Sequence, residues 1–181
     1  ALLHNAYPAA HLTVPHFGVP GDEINVHPRS KDVPPIEWWL SMKKGDSTPP
    51  NKEEVIYKAG TDFGADVILA YWGFNESFDG PVGLDAFRKN LDQYLGSLLA
   101  SKFNGHAAPR IVLFSPIAQE DLQNPNFSIG EANNRNPALY TPAVADVAKA
   151  KNLPFVKRLD PSRALYTKAE HPPPPHRTPL T

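Results

Sequence analysis

The sequence predicts an α/β fold built on a parallel sheet with helices on both faces. Three observations lead there. The run at 66–73 is continuously apolar, as a strand covered on both faces should be, and 110–116 and 153–159 read as a second and a third strand. Between them lie longer stretches whose apolar residues fall at spacings of three and four, the period of one helix face. Strand and helix patterns alternate along the chain, which is the order that builds a parallel sheet with crossover helices.

The elements follow in order. "HLTVPHFGVPGDE" (11–23) reads as a strand, interrupted by Pro15, that opens into a glycine- and proline-rich turn; the proline suits an edge position. "IEWWLSMKK" (36–44) reads as a short helix with a basic end, and "GDSTPPNKEE" (45–54) as a loop leading to a helical piece near 55–59. "DVILAYWG" (66–73) is the first buried strand. "VGLDAFRKNLDQYLGSLLASKF" (82–103) sets Leu84, Phe87, Leu91, Tyr94, Leu95, Leu98 and Leu99 on one helix face. "RIVLFSP" (110–116) is the second buried strand. "NPALYTPAVADVAKAKN" (136–152) is helical, with Ala143, Val144, Val147 and Ala148 inward. "LPFVKRL" (153–159) is the third strand, and "DPSRALYTKA" (160–169) starts a helix with Asp160 as N-cap and Pro161 at its first position.

The 181 residues suit a single domain, here 1–170, followed by a proline-rich tail at 171–181. Proline numbers 21, more than twice ordinary usage, and the tail "HPPPPHRTP" reads as extended polyproline II. The charges balance, 18 Lys plus Arg against 19 Asp plus Glu, so nothing points to nucleic acid or an anionic membrane surface as partner. No apolar run approaches the roughly 20 residues of a bilayer span. Cysteine is absent, which removes disulfides, thiolate metal sites and cysteine nucleophiles. No cofactor motif and no metal site stands out. His171 and His176 flank four prolines, roughly 15 Å apart on a polyproline helix, too far to share an ion. His11 and His16 face opposite sides of an extended segment; His4, His27 and His106 read as loop or surface residues.

On a parallel sheet, ligands sit beyond the carboxyl ends of the strands. That rule places "FGVPGDE", "GFNES" and "SPIAQED" on one rim. There Gly73 lets the chain turn sharply after the first buried strand, and Asn75 then offers an amide NH₂. Across the rim, Gly21 offers a backbone N–H unobstructed by a side chain. Two neutral donors aimed at one point can stabilise an oxyanion; the same residues also make an ordinary glycine–asparagine turn. Glu76, Ser77, Glu120 and Asp121 read either as ligand contacts or as groups that brace the turn and begin the next segment. Ser115 ends a strand at this rim with no histidine placed to activate it. Trp38, Trp39 and Trp72 read as core plus one surface contact, or as a platform for a sugar ring.

"HFGVPGDE", "VILAYWGFNES" and "RIVLFSPIAQED", in that order, together with "GFNESFDGPVGLDAF" and "LYTPAVADVAKAKNLPFV", resemble the SGNH/GDSL hydrolase superfamily, in particular the esterase-type domains of large secreted proteins of planctomycetes and their relatives. The resemblance runs over nearly the whole chain. It implies a three-layer α/β/α sandwich with a flavodoxin-like parallel sheet, and serine ester hydrolysis with Gly21 and Asn75 as oxyanion donors. The implied ligand is a small-molecule acyl ester, carbohydrate esters included, and the implied location is secreted or periplasmic. The departures are specific. The third block is usually Gly-x-Asn-Asp and here is Gly-Phe-Asn-Glu; the second often begins with Asn, where this chain has His16. No Gly-Asp-Ser block precedes the second block, and no Asp or Glu has a His three residues later. Gly45-Asp46-Ser47 has the letters of the nucleophile motif, but it follows the second block and a polar Met-Lys-Lys run leads into it, so it reads as a solvated loop. The resemblance therefore implies a domain incomplete at both ends. The alternative is a non-catalytic structural or binding subunit that keeps the fold and pairs with another protein chain.

Overall fold

The computed structural model describes residues 2–26, 36–41, 64–122, 126 and 130–167, excepting the side chains of Leu2, His4, Trp39 and Glu131. The loop at 45–54, the helical piece near 55–59, Gly45-Asp46-Ser47, His27 and the proline-rich tail lie outside the described residues.

Within them the chain has mixed α/β architecture. Short helices α1 (Leu2–Ala6) and α2 (Ile36–Ser41) precede strand β1 (Val67–Tyr71). A 3₁₀ segment (Glu76–Gly83), kinked at Gly80, leads directly into helix α3 (Leu84–Ala100). Strand β2 (Arg110–Phe114), helix α4 (Gly130–Asn133), helix α5 (Arg135–Ala150), the two-residue strand β3 (Phe155–Val156) and helix α6 (Leu159–Thr167) follow. The strands form one parallel sheet in the order β1-β2-β3. Parallel neighbours cannot be joined by hairpins, and here α3 and α5 supply the two crossovers. No helix among the described residues is long and apolar enough to cross a membrane.

Register explains the core. Ile68 pairs with Ile111, Ala70 with Leu113, and Leu113 with Phe155. These residues share one sheet face, because side chains alternate along a strand. Ala70, Ile111 and Leu113 join Phe87, Leu91, Leu95 and Leu98 of α3, and Tyr140, Ala143, Val144, Val147 and Ala148 of α5, in one cluster. The helical spacing thus identified the inward faces of both helices; Leu84, Tyr94 and Leu99 flank the cluster half-buried. Two ion pairs, Arg88–Asp146 at 3.3 Å and Lys151–Asp92 at 2.9 Å, link α3 to α5 and to the residue that follows it. Their acidic partners are exposed, so each contributes little beside the apolar contact.

Four expectations need correction. Residues 11–20 form no strand. Pro15 and Pro20 remove two backbone donors from that short stretch, which leaves little ladder to build. The third strand spans only two residues of the expected 153–159. Among the described residues, the second face of the sheet is also only partly covered. Val67, Leu69 and Tyr71 are 45%, 42% and 51% exposed, and Val156, on the same face, is 40% exposed. A continuous apolar run therefore did not distinguish a strand covered twice from one covered once. α6 begins at Leu159, one residue before the expected cap, with Asp160 and Pro161 in its first turn.

Candidate functional site

The rim beyond β1 is built by one turn and one clamp. After Tyr71 the chain leaves the sheet, and Gly73 takes φ +99°. A β-carbon there would lie 3.2 Å from the ring of Phe87 and 3.5 Å from Val144. Both the backbone conformation and the packing thus demand glycine. Gly73→Ala is expected to destabilise the fold by about 1–2 kcal/mol from backbone strain alone, with crowding against Phe87 in addition. The difference is measurable by urea unfolding against the parent chain.

Glu76 is the clamp. Its carboxylate accepts hydrogen bonds from Gly73 N–H at 2.9 Å and from Ile24 N–H at 3.1 Å. Glu76 is 8% exposed and Ile24 5%. The acid therefore holds its own turn and, 52 residues away in sequence, the segment after Gly21. Burial is the largest influence on its titration and pushes the carboxyl above its ordinary range; the hydrogen bonds from Gly73 and Ile24 pull the other way. Asn75 adds a second link, its side-chain N–H donating to the Asp22 carbonyl at 2.8 Å.

Gly21 lies in a tight turn closed by Asp22 N–H to the Val19 carbonyl at 3.2 Å. Pro20 followed by Gly21 at φ +82° has the residues and the positive φ of a type II turn, which leaves the third residue's N–H outside the turn's own bond. The structure thus brings the residue after Gly21 into contact with Asn75, and both expected donors lie at the same end of the sheet.

The remaining candidates divide. Ser77 is buried and donates to the Phe74 carbonyl at 2.6 Å, which braces the turn. Ser115 is also buried. Its hydroxyl donates to the Pro116 carbonyl at 2.9 Å and accepts from Arg158 N–H at 2.7 Å and Leu159 N–H at 3.1 Å. It holds the first amides of α6 against the end of β2, the work of a helix cap contributed from another strand. Ser115→Ala is expected to cost about 1–2 kcal/mol of stability, read as a lowered denaturation midpoint with unchanged m-value. Glu120 is half-buried and Asp121 exposed, as are His11, His16 and His106. Trp72 meets Tyr94 edge-to-face at 5.7 Å and packs on the core; Trp38 is half-buried.

Two features of the rim were not found in the sequence. Asn134 is buried and reads the backbone of Gln119 in both directions, accepting from its N–H at 2.6 Å and donating to its carbonyl at 3.0 Å. The Tyr140 hydroxyl, wholly buried, donates to the Gly80 carbonyl at 2.9 Å and holds the kink before α3. Neither carries a local pattern, since each partner lies far off in sequence. An apolar recess of about 210 Å³ opens between Tyr71, Trp72, Phe74, Pro116 and Ile117, with the Arg158 guanidinium 5.4 Å from the centre of the Tyr71 ring. Comparison with family models, with curated proteins and with solved structures found no match to this chain.

Proposed function

We propose that this chain is a serine ester hydrolase domain of the SGNH/GDSL type, a three-layer domain in which Gly21 N–H and the Asn75 amide hold the oxyanion of an acyl ester. The observation that carries the reading is the Asn75–Asp22 hydrogen bond, which ties the candidate amide donor to the turn bearing the candidate backbone donor. An amide NH₂ has two hydrogens. One goes to Asp22, and on this reading the other faces the substrate oxygen. Two such donors act without reorganisation at the moment charge develops. The 210 Å³ recess at the same rim has room for a short acyl group. The nucleophilic serine and the histidine base are not assigned to residues of this chain; Ser115 is engaged as a cap. A secreted or periplasmic location belongs to the same proposal.

The test uses the longest natural form of the protein, incubated with p-nitrophenyl acetate and with a serine-directed phosphonate. Turnover, and labelling of one serine, are expected. A folded protein that neither turns over nor labels would remove the hydrolase reading. One observation favours a second reading, that of a non-catalytic subunit: Val67, Leu69, Tyr71 and Val156 leave one sheet face apolar and exposed. The hydrolase reading assigns that face to a second helix layer of the same domain. The subunit reading assigns it to another chain. Sedimentation of the natural protein as a monomer would count against the second.

A further inference from the structure

Beyond the end of β3 the rim carries a positive charge that has no acidic partner. Arg158 makes no ion pair among the described residues. Its neighbour Lys157 is already paired with Asp160 at 2.6 Å. The Arg158 guanidinium carbon lies instead 5.4 Å from the centre of the Tyr71 ring. Both partners in this contact are held. Arg158 N–H donates to the buried Ser115 hydroxyl at 2.7 Å, which anchors the base of the side chain to the end of β2. The Tyr71 ring stacks on that of Phe114, with centroids 4.4 Å and planes 15° apart. A guanidinium over a ring still has the N–H donors of its planar fork to offer another group.

Arg158 and Tyr71 are both walls of the recess of about 210 Å³ at this rim, with Trp72, Phe74, Pro116 and Ile117. Arg158 is the one charged side chain among the described residues that line it. That composition restricts the occupant. One positive charge balances a monoanion, whereas a dianion such as phosphate would keep charge uncompensated against an apolar wall. The fork of an arginine matches a carboxylate through two parallel N–H···O bonds. Three of the walls are aromatic residues, against which a further ring packs offset or edge-on. An apolar cavity of about 150 Å³ takes up benzene, so this recess has room for one ring with a carboxylate at its edge. It also lies beyond the carboxyl ends of parallel strands, where such sheets bind their ligands.

We propose that the recess binds an aromatic monocarboxylate, its ring among Tyr71, Trp72 and Phe74 and its carboxylate on the Arg158 guanidinium. The proposal does not rest on the hydrolase reading; on that reading the acid competes with the acyl group for the recess. The full chain is titrated with benzoate by ligand-observed NMR, with benzamide and phenyl phosphate as comparisons. Saturable binding of benzoate is expected, and benzamide, which has the ring without the charge, should bind at least about fivefold more weakly. Arg158→Gln should weaken benzoate at least about fivefold. The ratio of benzoate to benzamide is read on the parent chain, so it stands whether or not the variant folds. Four results would overturn the proposal: no saturable binding of benzoate; benzamide bound as tightly; undiminished benzoate binding by folded Arg158→Gln; or tighter binding of phenyl phosphate. Binding is read without turnover, so a failed hydrolase reading shows separately, as benzoate bound and p-nitrophenyl acetate untouched.

Discussion

Glu76→Ala is expected to destabilise the fold by about 2–4 kcal/mol, because it leaves the N–H groups of Gly73 and Ile24 without an acceptor. Each buried donor left unpaired costs about 1–3 kcal/mol, and removing the buried carboxylate recovers part of that. For a chain of 181 residues the loss corresponds to a fall in Tm of roughly 5–15 °C. Glu76→Gln separates the two contributions. It keeps one acceptor, turns an NH₂ toward the other amide, and removes the charge. Its cost is expected to be nearer 1 kcal/mol. The pH dependence supplies the sign. Burial holds the native carboxyl above the 4.5 of an unperturbed glutamate. Between those two values the native state binds more protons than the unfolded chain, so stability rises as pH falls through that window and drops as pH rises through it. Glu76→Gln abolishes this component, so the difference in unfolding free energy between parent and variant should narrow or reverse with increasing pH. A difference independent of pH would mean that the carboxyl titrates normally and is not the buried clamp.

That clamp also marks how far the sequence could be read. The helix faces were legible because helical period and burial coincide: Leu91, Leu95 and Leu98 on α3, and Ala143, Val144 and Val147 on α5, are inward in the fold. β1 and β2 were legible because short apolar runs ending in turn residues have few other uses. The Gly73 turn was legible too, since glycine followed by Asn-Glu-Ser after such a run has to leave the sheet. What escaped was everything set by distant partners. Residues 11–20 read as a strand, yet two prolines leave the ladder short of donors, and what the side chains of Asn75 and Glu76 hold is the chain just after them, at Asp22 and Ile24. The exposed face of β1 escaped for a related reason. Hydrophobicity reports what a residue can bury, whereas exposure depends on which layers are present. Asn134 and Gln119 escaped because an asparagine that pairs with a backbone 15 residues away is indistinguishable, in sequence, from one that starts a helix.

Asn75→Ala carries the largest expected effect on function. On the proposed reading its amide is one of two donors to the oxyanion, and loss of one such donor lowers kcat by about 10²–10³ with little change in KM. The stability cost is expected to be small, about 1 kcal/mol, because one hydrogen bond to the half-buried Asp22 carbonyl is lost. That asymmetry is the diagnostic. A side chain that only braces the turn would lose stability without losing rate per folded molecule, as Ser115→Ala should. Asn75→Asp sharpens the contrast. It keeps the size of the side chain but turns carboxylate oxygens toward the Asp22 carbonyl and toward any developing anion, so rate should fall at least as far as in the alanine variant. The measurement is steady-state hydrolysis of p-nitrophenyl acetate by the form of the protein that turns it over, corrected for folded fraction by circular dichroism. If folded Asn75→Ala keeps a rate within about threefold of the parent, the amide contributes too little transition-state stabilisation to be an oxyanion donor. The contact between Asn75 and Asp22 would then be a brace for the turn, and the hydrolase reading would lose the observation on which it stands.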